Sequence, residues 1–393
     1  MAEQLVGDRV ALEPELVATR RALHQQPELA FAEHRTAELV ADRLRQIGLE
    51  PRTGVGGTGV IVDIGGGRPG PTLLLRADMD ALPLEEKPGR SYGSQVSGRM
   101  HACGHDAHTS ALLGVASLLA PRADSLAGRV RLLFQPAEEV GAGALAVIGD
   151  GALEGVDEAI GAHVLSRAPF GVVGIRAGDF MVGADLFELA VMGGGGHSGM
   201  PHEARDAVFA AAQLVSALQS IVSRETSTAE VLTLTIASIE GGTAANVIAG
   251  TVTLRGTLRW LDPSVRDRAL ARVEDIAAGV CAALRVTHEL RLPATMPVLR
   301  CHERPTALLS QAAESARASV VDPGVFPASE DFANIADRVP TGFIMVGAGG
   351  EGYGMHHAPD FDIDERAIGL TTEILARAAL TRLDGEGSAP GPG

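Results

Sequence analysis

The segment Met100-His101-Ala102-Cys103-Gly104-His105-Asp106-Ala107-His108 sets one thiol and three imidazoles side by side. Gln135-Pro136-Ala137-Glu138-Glu139 then adds two adjacent carboxylates, in a chain with only 3 cysteines and 12 histidines. Thiolate, neutral imidazole and carboxylate are the donors a borderline-soft divalent cation such as zinc accepts. A second carboxylate beside such a cation can carry a proton from water to a leaving group. Together these are the parts of metal-assisted hydrolysis.

Spacing sharpens this reading and leaves alternatives. Cys103 and His105 are two apart, so an extended or tightly turned segment points both to one side. Gly104 between them permits a turn that other residues resist. The alternative is a structural cysteine beside a histidine that caps a following helix. Glu138 and Glu139 face opposite ways in a regular strand, so joint service at one site requires a bend. One carboxylate would then bind metal and the other would handle the proton, with the cation relieving their mutual repulsion. An exposed acidic pair in a loop is the other reading. His163 closes the apolar run Ala159–Ala162, where a satisfied core histidine is equally in keeping. His356-His357-Ala358-Pro359 follows a glycine-rich loop, Gly347 to Gly354. Asp78 and Asp80 end a strand and suit the orienting of a ligand histidine, or a cap or turn. Gly54-x-Gly56-x-x-Gly59 matches a dinucleotide fingerprint only formally, because it precedes a strand and opens no helix. The glycine loop running from Gly193 to His202, with His197, lacks a phosphate-loop Lys-Ser/Thr pair and suggests substrate contact.

Elements must place these groups together. Leu16, Leu23, Leu39, Leu44 and Ile47 predict a helix pair over 14–47. Val60–Ile64, Thr72–Arg76, Val130–Gln135 and Ala159–Val164 read as strands, with a small-residue helix over His108–Leu119. This alternation predicts an α/β catalytic domain whose mixed, mostly parallel sheet is flanked by helices, with the chemistry at the carboxyl ends of strands. From about Ala184 the order becomes strand-helix-strand-strand-helix-strand, an inserted ferredoxin-like α+β domain. The expected division is 1–183 with 296–385 for the catalytic domain, 184–295 for the insert, and 386–393 for a flexible tail.

A formal charge of −16 argues against nucleic acid or an anionic membrane as partner. Lys87 is the lone lysine beside many arginines, a coding bias without mechanistic weight. Three cysteines without paired spacing suggest no disulfide framework. Met1–Pro14 has no apolar core of signal-peptide length, and the expectation is that no stretch is long and apolar enough to span a bilayer. A cytoplasmic location is the expectation.

The chain resembles the aminoacylase- and carboxypeptidase-like dinuclear metallohydrolases, in the branch of hippurate hydrolase and indole-acetyl-amino-acid hydrolases. The likeness rests on Arg21–Leu29, Leu75–Pro83, Met100–His108, Gln135–Glu139, Gly195-Gly196-His197 with Pro201-His202, Gly241–Ile248, Ser329–Phe332 and His357-Ala358-Pro359. The resemblance implies that Cys103, His105, Glu139, His163 and His357 bind two divalent ions, zinc or else manganese, cobalt or nickel. Cys103 stands where related branches use a bridging aspartate. Glu138 matches the general base and acid, and Asp80 the aspartate behind the metals. His197 matches a histidine that reaches the partner subunit's site in family dimers. Asn246 and Arg259 fall near positions tied to the substrate carboxylate. The smaller domain would mediate homodimerisation and act as a lid. Met355-His356-His357 departs from the usual leucine-led form. The implied activity is hydrolysis of N-acyl amino acids, with a dipeptidase or carboxypeptidase, or a non-catalytic metal-binding relative, as alternatives.

Overall fold

The computed structural model describes residues 2–384, so the tail expected over 386–393 lies outside the described residues. Two compact units emerge. One runs to Phe180, resumes over Leu299–Val325, and continues from Asp331; the other comprises Met181–Val298 and Phe326–Glu330. The sequence boundaries at 183/184 and 295/296 lie three residues inside these limits. The return of Phe326–Glu330 has no sequence signal of its own.

The first unit is built on an eight-stranded sheet. Its order is Arg52–Val55, Gly59–Gly65, Ala127–Gln135, Arg68–Asp78, Glu158–Pro169, Thr341–Gly349, Val172–Ile175 and Ser319–Val321. The four central strands are mutually parallel, while the antiparallel pairings lie towards the edges. Parallel strands covered on both faces need near-continuous apolar sequence. Leu73–Ala77 and Thr341–Ala348 meet that need, being buried throughout. The Gly54–Gly59 segment spans the turn of an antiparallel hairpin, which agrees with the loop reading. The helix His105–Leu119 is buried over almost its whole length, and its small residues make that possible. At Gly114 a Cβ would lie 2.8 Å from Leu16 and from Thr372, so glycine lets three helices converge.

One expectation needs correction here. The first helix is Ala2–Gln25, longer than predicted, and it runs through Pro14. Burial of Leu5, Leu16 and Leu23, with Arg9 bridging to Glu373, compensates for the hydrogen bond a mid-helix proline removes. The second helix, His34–Gln46, matches its apolar spacing.

The second unit has a four-stranded antiparallel sheet ordered Leu232–Gly241, Thr251–Trp260, Gly183–Met192 and Thr287–Met296. With helices Ala207–Ser220 and Pro263–Leu284, this is the ferredoxin-like arrangement. Thr251–Trp260 alternates buried and open positions, as a sheet with one covered face requires. The helix beginning at Ala207 continues through a π turn to Glu225. Over those 19 residues it is long and apolar enough to cross a membrane by length and composition alone, contrary to the sequence expectation. Ala207, Ala210, Ala211, Leu214 and Leu218 are buried in this unit's core, which accounts for part of the apolar run, while Val208 and Phe209 are exposed.

Candidate metal centre

Strand direction gathers the donors. Asp78 and Gln135 are register partners at the ends of two parallel strands, so the segments after them, with Asp80 and Glu138-Glu139, leave the sheet together. His163 lies within the next parallel strand, Glu158–Pro169, which continues past the point where the sequence run closes. Cys103 and His105 flank Gly104, whose left-handed backbone (φ 91°) opens the helix. A Cβ there would fall 2.4 Å from Val164 Cγ2. Glycine is therefore required by both backbone and space.

Donor atoms of Cys103, His105 and His163 lie within 4.8 Å of one another, and so do those of Cys103, Glu139 and His357. His105, Glu138 and Glu139 make a further such group. All five residues expected to bind metal thus share one neighbourhood, with Cys103 common to two triads. Asp78, His105 and His108 form another triad, entirely buried.

The paired carboxylates are brought together by the bend the sequence demanded. Ala137 adopts φ 55°, a left-handed conformation uncommon for a residue with a side chain. Its N–H is held at 2.9 Å by Glu33 Oε1. Beyond it, the Glu138 N–H donates to Asp80 Oδ1 and the Glu139 N–H to Asp80 Oδ2, both at 3.0 Å. One buried carboxylate therefore fixes both residues of the pair. Asp80 Oδ1 also sits 3.3 Å from His105 Nδ1.

Hydrogen-bond partners assign the imidazole tautomers, since a neutral ring carries one donor and one acceptor nitrogen. His105 Nδ1 donates to the Asp80 carbonyl at 2.9 Å, leaving Nε2 as the nitrogen without a hydrogen-bond partner, the atom a cation would take. His163 Nδ1 donates to the Val164 carbonyl at 2.6 Å, and its Nε2 lies 3.4 Å from Cys103 Sγ. His108 has the same tautomer, but its Nε2 lone pair is taken up by the Val164 N–H at 2.9 Å, while Nδ1 donates to Asp78 Oδ1 at 2.6 Å. His357 Nε2 is 3.4 Å from Glu139 Oε2, on a residue with φ 61°.

These residues fit a divalent cation. Two of the cluster's buried polar atoms, His105 Nε2 and Glu139 Oε1, have no hydrogen-bond partner, although buried polar groups are normally satisfied. Burial, aided by Asp80 and Asp78 against the opposing field of His105, pushes the Glu139 carboxyl up to about 7. Burial and then Glu139 hold the Cys103 thiol well above its ordinary range. Burial disfavours both anionic forms despite the nearby His105, and a coordinated cation would favour them. Burial lowers His163 well below the usual imidazole range, with His108 and His356 adding to it. That keeps the ring neutral, as a ligand must be.

Several supporting residues carry weaker sequence signals. Arg76, fully buried, donates to Gln135 at 2.9 Å, to Asp78 at 2.6 Å and to Asp331 at 3.0 Å. Asp331 also accepts from Gln135 and from the Ala144 N–H, tying the carboxylate-bearing loop to the sheet. Glu33, His108 and His356 likewise had no assigned role. Buried charge at a strand end was the available signal for Arg76, and the doubled histidine for His356.

The substrate candidates belong to the second unit. His197 is exposed on a short strand paired with Val247–Ile248, beside Asn246, whose carbonyl accepts the Ser198 N–H. His197 Nδ1 accepts the Gly199 N–H at 3.0 Å. Arg259 lies elsewhere on that unit, donating to Ser329 Oγ at 3.0 Å.

A cluster of thiol, imidazole and carboxylate groups at the carboxyl ends of a mixed sheet, in a chain that also carries a ferredoxin-like insert, defines a metal-binding hydrolase architecture. The chain belongs to the peptidase family M20/M25/M40, whose sequence profile matches residues 74–381. It is 42% identical over 373 residues to the N-acetyl-L-cysteine deacetylase of Bacillus subtilis (strain 168), covering 95% of this chain and 89% of that protein. It is 37% identical to the Arabidopsis thaliana IAA-amino acid hydrolase ILR1-like 2, covering 94% and 85%. Among solved structures, the Bacillus subtilis YXEP protein, a dinuclear metal binding peptidase of the M20 family, aligns with a TM-score of 0.79. That match has 32% identity and covers 95% of this chain and 99% of the other.

Proposed function

We propose that the protein is a divalent-metal-dependent amidohydrolase that splits N-acyl amino acids, N-acetyl, N-benzoyl or similar, into a carboxylate and a free amino acid. The observation that carries this is the Asp80 clamp, which holds Glu138 and Glu139 beside Cys103 and His105. Cys103, His105, Glu139, His163 and His357 would hold two ions; the thiolate favours zinc over manganese, cobalt or nickel. When bound, such ions supply Lewis acidity and make water more acidic. Glu139 serves as a ligand, leaving Glu138 to take the proton from the attacking water and return it to the departing amine. Asp80 positions both through their backbone amides and orients His105.

Because His197 Nδ1 accepts the Gly199 N–H, the proton of the neutral ring resides on Nε2. That nitrogen is then a donor suited to a developing oxyanion, a role worth about 3–4 kcal/mol in other enzymes. Asn246 and Arg259 are the proposed contacts for the substrate carboxylate, and a homodimer is the proposed assembly. The relatives' names, a deacetylase and an amino-acid-conjugate hydrolase, support the substrate class. The family's peptidase name favours a second reading, a dipeptidase or carboxypeptidase. Metal-loaded protein tested on N-acetyl, N-benzoyl and indole-acetyl amino acids and on dipeptides separates them. The proposal expects faster release of amino acid from the N-acyl compounds. Faster dipeptide cleavage selects the second reading, and no cleavage of either class refutes both.

A further inference from the structure

His356 and His357 are adjacent, but their rings are used in different ways. The His356 Nε2 lies 3.2 Å from the Ser166 backbone nitrogen and accepts its N–H. Ser166 in turn is fixed by its hydroxyl, which donates to the Gly354 carbonyl at 2.8 Å. A backbone N–H can only donate, so the single proton of the neutral His356 ring must reside on Nδ1. That nitrogen faces Cys103 Sγ at 3.7 Å, within reach of an N–H···S bond. The ring packs against two others, 4.8 Å from Phe361 and 5.3 Å from His163 between centroids. His105 and His163 also carry the proton on Nδ1, but there Nδ1 donates to a backbone carbonyl and Nε2 faces the cluster. In His356 the backbone takes Nε2, so the nitrogen left facing Cys103 is the donor.

We infer that His356 is a hydrogen-bond donor to the Cys103 sulfur, a positioning residue that draws charge from the thiolate shared by the two proposed metal positions. The inference rests on Cys103 being a metal ligand, as proposed above. A thiolate between two cations would otherwise push electron density onto both and weaken them as Lewis acids. Hydrogen bonds to ligand sulfur tune metal centres in just this sense.

The test uses cobalt(II) as the probe in wild type, His356→Leu and His356→Gln. Leucine removes the donor; glutamine carries an acceptor for the Ser166 N–H and a donor for sulfur. The sulfur-to-cobalt charge-transfer band is expected to move to lower energy in His356→Leu and to return part of the way in His356→Gln. If the wild type shows the band and His356→Leu leaves its energy unchanged, the inference is overturned while the metal site stands. If the wild type shows no such band, Cys103 is not a ligand and both fall. A measurement on unmutated protein guards against a misfolded variant: in the zinc(II)-loaded form with 15N-labelled histidine, His356 must carry its proton on Nδ1. A proton on Nε2 overturns the inference whatever the variants do.

Discussion

Replacing Asp80 by asparagine tests the carboxylate clamp with a change of one atom. In the native protein each Asp80 oxygen accepts one backbone N–H at 3.0 Å, from Glu138 and from Glu139. Asparagine keeps one acceptor and turns the other into an NH2 group facing an N–H. One charge-assisted bond, worth roughly 1.5–3 kcal/mol, is lost, and the surviving bond drops to about half its strength. The total is about 3 kcal/mol, placed on the positions of the proposed proton carrier and a proposed ligand. If it is expressed in the reacting geometry, kcat should fall about 100-fold, at 1.4 kcal/mol per tenfold. KM should change only a few-fold, because Asp80 is buried and acts through the backbone amides of Glu138 and Glu139. The assay is steady-state hydrolysis of an N-acetyl amino acid at saturating zinc, with metal content measured on the same sample. A variant with two equivalents of metal and kcat within threefold of wild type would refute the positioning role.

Other changes probe separate links. Glu138→Gln should lower kcat at least about 100-fold, in the range of general acid–base effects, with metal content unchanged; mixing it with His197→Ala should restore activity if subunits share a site, and no recovery counts against sharing. Gly104→Ala combines a left-handed backbone with a 2.4 Å approach to Val164, so urea denaturation should show a loss of about 2–4 kcal/mol. His24 is opposed by its burial, yet bonds to Asp106 and Glu86 raise its pKa above 6.5. Its stabilisation is therefore complete below pH 6.5 and lost as pH rises through that raised value. Glu86, burial again opposed and outweighed by His24, is lowered to about 2, so its contribution is lost only as pH falls from 4.5 through about 2. His24→Gln should consequently cost more stability at pH 6 than at pH 9, and an equal cost at both would contradict the pairing.

Much of the site was legible because its donors sit where strand grammar ends. Cys103 and His105 flank a glycine, and Glu138-Glu139 follows a proline, so residue type and breaker signal coincide. The ferredoxin-like order was readable for the same reason: alternating strands and long apolar helices have distinct periods. Less was visible where distant parts of the chain cooperate. Nothing local to Glu33 announces that it supports the bend at Ala137, 104 residues later. Arg20, from the first helix, reaches Asp106, Asp362 and Glu365, and such a network has no sequence period. The helix through Pro14 went unseen because tertiary burial overrode a strong local breaker. His356 and His357 could not be told apart by spacing, since only their backbone partners separate donor from ligand.

The central claim is that Cys103, His105, Glu139, His163 and His357 would together hold two cations. A crystal of zinc-loaded protein, measured at the zinc absorption edge, locates the ions directly by anomalous scattering. The account requires two peaks, one among Cys103, His105 and His163 and the other among Cys103, Glu139 and His357. Peaks at other residues, or two ions with Cys103 bound to neither, would contradict it.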